Sequence, residues 1–142
     1  MALKRIEPGK RMSAAVIHNG MVYLAGFVAG TAAGKSVKEQ TADILAQIDA
    51  TLKTAGTTKA NIVKANIWLT NIKTWAEMNE AWDAWVEPGQ TPARATVESK
   101  LAGPGLDVEI MVEAAIVKKP ARPARKAAPA KKAAKKSKKK LV

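Results

Sequence analysis

The chain of 142 residues contains no cysteine and only one histidine. Without cysteine it can have no disulfide framework, no thiol nucleophile and no thiolate metal site. The histidine, His18, stands next to Asn19-Gly20 at a predicted hairpin tip, where a solvated turn residue is commoner than a catalytic base or a metal ligand. The sequence therefore excludes serine–histidine triads and zinc sites, and it predicts no bound metal.

The sequence is also poor in long apolar runs. We expect no secretion leader, because no charged-then-apolar segment stands at the start, and no stretch is apolar for the length of a membrane span. Gly26, Gly30 and Gly34 do not have the spacing of a phosphate-binding loop, and no lysine-serine pair closes one. We therefore expect a cytoplasmic protein that has no membrane partner.

Positive charge is concentrated at one end of the chain. Half of the 24 Lys and Arg residues lie in 118–142, whereas all 12 Asp and Glu residues lie in 1–117. The sequence thus predicts one domain at 1–117 and a disordered basic tail at 118–142, which resembles the Lys/Ala/Pro tails of linker histones. The tail either binds DNA, RNA or another polyanion without sequence specificity, or is solvated with no dedicated partner. The lysines predicted to contact a polyanion are Lys131, Lys132, Lys135, Lys136, Lys138, Lys139 and Lys140.

Hydrophobic periodicity divides the domain into strands and helices. Alternating segments predict strands, and apolar residues at three- and four-residue spacing predict two helices. Capping boxes at Ser36 and Thr74 open the helices, and Gly56 ends the first. The predicted elements are strands at 3–6, 14–18, 21–25, 62–69, 95–99 and 107–113 and helices at 36–55 and 74–85.

The order β-β-β-α-β-α-β-β predicts an α+β domain with both helices on one face of a mixed sheet. In the fourth strand, Val63, Ala65, Ile67 and Leu69 are the predicted core face. The opposite sheet face would be too apolar to remain open to water. We therefore expect copies of the chain to cover it, with sites formed between subunits. Its predicted apolar residues are Ile62, Met21, Tyr23, Phe27, Trp68 and Met111.

A possible catalytic pair lies in the last two strands. Pro92-Ala93-Arg94 opens one strand, and Glu109 follows fifteen residues later in the next. The arginine fork fits a carboxylate through two hydrogen bonds, and the glutamate could handle a proton or a water. A simple surface ion pair is the alternative interpretation.

Several stretches, taken together, resemble the Rid family of enamine/imine deaminases, also called YjgF. The most specific is the Pro-Ala-Arg segment followed at fifteen residues by the strand glutamate. The resemblance covers nearly all of residues 3–117, in order and with family-like spacing. The matching stretches are 19–26, 40–45, 52–56, 62–64, 67–69, 78–82, 92–98 and 108–110.

The resemblance implies a chorismate-mutase-like fold, assembled as a homotrimer with three clefts between subunits. It also implies hydrolysis of reactive 2-imino acids and their enamine tautomers to 2-keto acids and ammonia. This is the activity of a 2-iminobutanoate/2-iminopropanoate-type deaminase, a hydrolase that uses neither metal nor cofactor. The expected partners are other copies of the chain and small 2-imino acid substrates.

By the same resemblance, Arg94 clamps the substrate carboxylate and Glu109 places the attacking water. Asn79 and Thr96 line the cleft. An iminium is already electrophilic, so that holding it, supplying water and excluding side reactions suffice for catalysis.

The loop at Ala25, Gly26 and Phe27 is implied to approach the substrate, partly through backbone groups. Many members have serine at the position of Ala25 and glutamine at that of Phe27, so this chain departs from them here. Such changes would alter substrate fit. Arg11 could add a second cation near the ligand.

A different class of function stays open. The chain could be a non-enzymatic ligand- or nucleic-acid-binding protein on the Rid scaffold, since some relatives have been described as ribonucleases or translation inhibitors. For RNA cleavage the sequence offers neither a histidine pair nor a metal site.

Overall fold

The structure, a computed structural model, describes residues 2–117 and Val142. The predicted polyanion-binding lysines between 118 and 141 lie outside the described residues. The described elements are β1 (Lys4–Pro8), β2 (Ser13–His18), β3 (Met21–Leu24), β4 (Phe27–Val28), α1 (Val37–Ala55), β5 (Ile62–Leu69), α2 (Trp75–Trp85), β6 (Ala93–Glu98) and β7 (Val108–Ala115), with 3-10 turns at Lys59–Asn61 and Ile72–Thr74.

The strands form one mixed sheet in the order β1-β2-β3-β7-β5-β6, and the short β4 also pairs with β7. Only β5 and β6 are parallel, because α2 carries the chain back between them. The other pairings are antiparallel. Two helices packed on a mixed sheet confirm the predicted α+β fold.

Local sequence signals explain the ends of the first elements. Asn19 and Gly20 both have positive φ, 48° and 74°, which is the geometry of a tight hairpin turn. Ser36 caps α1 by accepting the Glu39 N–H at 3.1 Å. Gly56 ends α1 with φ 89° in the left-handed region, as expected for a glycine C-cap.

The predicted capping box at Thr74 is wrong. The Thr74 hydroxyl makes no cap to α2 and instead donates to the Asn71 carbonyl at 2.6 Å. Asn71 accepts the Lys73 N–H at 3.0 Å, so a 3-10 turn leads into the helix in place of the box. The helix itself begins at Trp75, one residue after the predicted start.

The core lies between the helices and the inner face of the sheet. From α1 it takes Ile44, Leu45, Ile48 and Leu52, and from α2 it takes Met78 and Trp82. The facing sheet residues alternate along each strand, as the period of two requires. The largest sheet contributors are Val22, Leu24, Ile67, Leu69, Val108, Ile110 and Val112.

A β-bulge changes the predicted core face of β5. The register with β7 shifts between Ile62 and Lys64, so that Ile62 is buried and Val63 is 50% exposed. Strict alternation had predicted the reverse for these two residues, because a bulge adds one residue without a partner. Beyond it, Ala65, Ile67 and Leu69 face the core as predicted.

The open face of the sheet is apolar, as predicted from the alternation. Tyr23, Val97 and Met111 are 41%, 49% and 39% exposed there. Phe27 was expected on this face, but it pairs with the buried Ile110 and packs against the core, so that prediction is wrong. Within the described part of the chain, no helix has both the length and the apolar character needed to cross a bilayer.

Candidate functional site

Arg94 lies on the helix side of the sheet, near the start of edge strand β6. Its Cα partner on β5 is Ala65, which is fully buried against the helices, and residues paired across adjacent strands share a face. The side chain therefore extends toward α2. There NH1 donates a hydrogen bond of 2.8 Å to Asn79 Oδ1, and the guanidinium carbon lies 5.1 Å from the centre of the Trp82 ring.

The guanidinium is half-buried and is not neutralised by a carboxylate. Burial lowers the pKa of Arg94, and the nearby charge of Asp83 acts in the opposite direction. An arginine stays protonated at neutral pH despite such a shift. Among the described residues no carboxylate oxygen lies within 4.0 Å of Arg94, so its charge is available to a ligand.

A cavity of about 600 Å³ opens beside this arginine. Its walls combine the indole rings of Trp75 and Trp82 with Pro92, while Asn79, Asp83 and Arg94 supply polar groups. An apolar pocket with a few convergent polar groups is typical of a small-molecule site. We call Arg94, Asn79 and Trp82 the arginine half.

Glu109 lies on the other side of the sheet. It alternates in β7 with the buried Val108 and Ile110, so its side chain belongs to the open face. A Cβ atom at Gly26 would overlap the Glu109 carboxylate, and only glycine leaves room for this close approach. We call Glu109, Gly26 and Ala25 the glutamate half.

A single chain does not bring the two halves together. Arg94 pairs with Ala65 of β5, whereas Glu109 pairs with Trp68, three positions further along. From strand spacing and rise, their Cα atoms lie about 14 Å apart, and their side chains project from opposite faces of the sheet. One small substrate cannot contact both residues of the same chain.

Thr96 and the Ala25–Phe27 loop complete the set of predicted site residues. Thr96 is on the helix side with Arg94, and its buried hydroxyl has no hydrogen-bond partner in the described part of the chain. The Ala25 N–H already donates to the Ala14 carbonyl at 2.9 Å. Phe27 packs toward the core, away from the face that bears Glu109.

Sequence reasoning missed two features of the site. The first is Trp82, whose ring belongs to the core and also contacts the Arg94 guanidinium. Its three-residue spacing from Asn79 places both on one helix face, which was the available signal. The second is Asp43, whose carboxylate accepts the N–H groups of Gly30 and Ala32 at 2.9 and 3.0 Å. These backbone donors lower its pKa and fix the loop that follows the glutamate half.

No group of three or more His, Cys, Asp and Glu side chains within 2–117 has the arrangement of a metal site. The polar side chains of the described site are those of Arg94, Asn79 and Asp83 around the cavity and of Glu109 in the glutamate half.

Most of the chain is similar to known proteins. The family model of Endoribonuclease L-PSP matches residues 2–117. A RutC family protein of Haemophilus influenzae is 43% identical over 114 residues, covering 80% of this chain and 98% of that protein. The RutC family protein YoaB of Escherichia coli is 43% identical over 116 residues, covering 82% and 100%. The crystal structure of NMB1025 from Neisseria meningitidis, a YjgF family member, superposes with a TM-score of 0.81 at 43% identity, covering 84% of this chain and 98% of that one.

Proposed function

The chain belongs to the Endoribonuclease L-PSP family, also known as YjgF, and from that premise we propose that it is an imine deaminase. The proposed reaction hydrolyses 2-imino acids of the 2-iminobutanoate and 2-iminopropanoate type, and their enamine tautomers, to 2-keto acids and ammonia. The observation that carries the proposal is the half-buried Arg94 guanidinium, which Asn79 holds beside a cavity without a carboxylate partner. That arrangement is suited to bind the carboxylate of a small acid.

In the proposed reaction, Arg94 holds the substrate carboxylate and so fixes the position of the adjacent C2=N bond. Glu109 accepts a proton from water as the water oxygen bonds to C2, which gives a carbinolamine. The proton then passes to nitrogen, and the C–N bond breaks as the hydroxyl group gives its proton to Glu109 and becomes the carbonyl of a 2-keto acid. Glu109 passes this proton to the departing ammonia, which leaves as an ammonium ion. The balance is one iminium and one water for one keto acid and one ammonium ion.

The proposed active site spans two copies of the chain, because Arg94 and Glu109 of one copy face opposite ways. The arginine half of one copy would dock on the apolar open face of the next copy, which carries the glutamate half. A contact between two different surfaces propagates from copy to copy and closes into a ring when the rotation allows. We propose that the ring is a homotrimer.

The test of this function is a trapping assay. An amino-acid oxidase generates 2-imino acids in place, semicarbazide traps the imine that remains, and residues 1–117 are compared with their Arg94→Ala variant. The proposal predicts that the wild-type domain lowers the amount of imine trapped by semicarbazide and that the variant leaves this amount unchanged. Equal trapping with and without the wild-type domain would contradict it.

A second candidate is favoured by the family description, which names an endoribonuclease. RNA hydrolysis commonly needs a general acid and a general base, and His18 is the only histidine of the chain. We therefore rank it below the deaminase. RNA cleavage by residues 1–117 that Arg94→Ala abolishes would reverse this order.

For residues 118–142 we propose sequence-independent binding to DNA, RNA or another polyanion, on the basis of their charge. If about 6 to 10 of the charges meet phosphates, affinity should fall roughly a thousandfold or more between 50 and 200 mM salt. Removal of the tail should abolish this binding and spare deaminase activity. Polyanion binding that is unchanged in residues 1–117 would contradict the assignment.

A further inference from the structure

Arg94 is held by two different kinds of contact from α2. Its NH1 group donates to Asn79 Oδ1 at 2.8 Å, and its guanidinium carbon lies over the Trp82 ring, 5.1 Å from the ring centre. One hydrogen bond fixes one corner of the guanidinium but leaves the plane free to swing about it. A ring beneath the group supplies the second restraint.

Trp82 is suited to be that restraint because it is itself immobile. The side chain is only 5% exposed and belongs to the core. A tryptophan face attracts a cation through its quadrupole, most strongly when water is excluded. The half-buried position of Arg94 removes part of the surrounding water and so meets that condition in part.

The free donors of the guanidinium determine what it can bind. Among the described residues only NH1 has acceptors, the Asn79 oxygen and, at 3.9 Å, the Met78 sulfur. The Nε and NH2 donors remain, and together they form the fork that accepts a planar carboxylate through two parallel hydrogen bonds. The orientation of this fork depends on the plane of the guanidinium.

We propose that Trp82 is a positioning residue, whose ring orients the Arg94 guanidinium so that Nε and NH2 present a bidentate site to a substrate carboxylate. This inference rests on the proposed function, since it takes Arg94 as the carboxylate-binding group. It assigns Trp82 a role in substrate affinity beyond its packing in the core. Trp85, on the same helix, contacts Trp82 but makes neither a hydrogen bond nor a cation–π contact with Arg94 in the described part of the chain, and it serves as the matched control.

The experiment measures both binding and turnover in the full chain. Binding uses 2-oxobutanoate, a stable 2-keto acid, and isothermal titration calorimetry; turnover uses imino acids generated in place. The variants are Trp82→Leu, Trp82→Phe and Trp85→Leu. Loss of the cation–π contact should raise the Kd and the KM of Trp82→Leu by about 2-fold to 30-fold. Its kcat should stay within about 2-fold of the wild-type value. Trp82→Phe should recover most of the affinity, and Trp85→Leu should bind like the wild type.

A second measurement keeps the inference testable if Trp82→Leu does not fold. Tryptophan carrying one, two or three fluorine atoms, placed at position 82 alone, nearly keeps the shape of the ring but weakens its attraction for a cation step by step. The inference predicts a Kd that rises with each added fluorine. An unchanged Kd across the series, or equal loss in Trp82→Leu and Trp85→Leu, would overturn it.

The binding and turnover measurements together separate this inference from the proposed function. A wild-type chain that binds 2-oxobutanoate with the fluorine trend but hydrolyses no imine would overturn the deaminase and leave the positioning role of Trp82 standing. A chain that hydrolyses imines without the trend would overturn the positioning role alone. Absence of 2-oxobutanoate binding would overturn the carboxylate site and with it the role of Trp82.

Discussion

The arginine half and the glutamate half are built in different ways. Arg94 is fixed within one chain by a hydrogen bond to Asn79 and by the ring of Trp82. The Glu109 carboxylate has no hydrogen bond or ion pair with any other residue in the described part of the chain, and its neighbour Gly26 contributes only space. The first half is complete in a single chain, whereas the carboxylate of the second has no polar partner among the described residues. This difference fits the proposed site, in which each half comes from a different copy of the chain.

A large effect is expected from a change in the complete half. Arg94→Ala should lower kcat/KM by at least about 100-fold, because a substrate that is not fixed rarely reaches the reactive geometry. Arg94→Lys keeps the charge but loses the planar fork, and should recover only part of the activity. Steady-state kinetics measures both, and size-exclusion chromatography should show unchanged assembly. Full activity in Arg94→Lys would mean that charge alone, without the fork, is sufficient.

Glu109→Gln tests the second half by removing its proton chemistry at nearly constant shape. Loss of a general base typically lowers the rate by about 100-fold to 10,000-fold. Because Glu109 is not the carboxylate-binding group, KM and the affinity for 2-oxobutanoate should change little. A variant that loses binding as strongly as rate would show that the two halves do not divide the work in this way.

Gly26→Ala should disturb the glutamate half without touching the arginine half. The added Cβ would overlap the flexible end of Glu109, so the carboxylate must move while the backbone can stay. Displacement of a reacting group by about 1 Å can cost up to about 100-fold, so we expect a loss of about 10-fold in kcat. The affinity for 2-oxobutanoate should be unchanged. An equal rise in Kd would contradict the separation of the halves.

The smallest effect concerns the loop that follows Gly26. The backbone N–H groups of this loop, above all that of Ala32, lower the pKa of Asp43 in the folded state. The charged form of Asp43 therefore stabilises the fold. This contribution is present above the unfolded pKa of about 3.9 and is lost as the pH falls through the lower folded value. Asp43→Asn should therefore lose only a few tenths of a kcal/mol at pH 7, because solvent screens this charge, and approach the wild type in strong acid. Unfolding curves at pH 7 and below pH 4 measure this, and a loss independent of pH would contradict the charge argument.

Much of the fold could be predicted from the sequence because its signals are local. The Asn19-Gly20 turn, the Ser36 cap, the Gly56 stop and the alternation in β7 each depend on residues close in the chain. Where a neighbour in space decided the outcome, local reasoning failed. The bulge at Val63 depends on pairing with β7. The cap expected at Thr74 failed for a local reason instead, because its hydroxyl bonds to the carbonyl of Asn71, three residues earlier.

In the candidate site, too, local sequence patterns identify residues, whereas contacts between distant residues set the geometry. The residues Arg94 and Glu109 were found from a motif, and their placement on opposite sheet faces follows from registers that no single stretch encodes. Trp82 lies twelve residues before Arg94, and Asp43 lies thirteen and eleven residues after Gly30 and Ala32. No periodic pattern in the sequence links these residues. A sequence can name such residues, but it cannot tell which of them meet.

The most direct test of a site shared between two copies is complementation of two inactive variants. Arg94→Ala and Glu109→Gln are co-expressed with different tags, and mixed assemblies are purified through both. If each site of a trimer takes Arg94 from one copy and Glu109 from the next, every mixed trimer has one of its three sites with both residues intact. The account predicts that about a third of the wild-type deaminase activity returns in the purified mixed assemblies, whereas each variant alone stays inactive. Mixed assemblies with no activity, beside an active wild-type control that carries both tags, would contradict it.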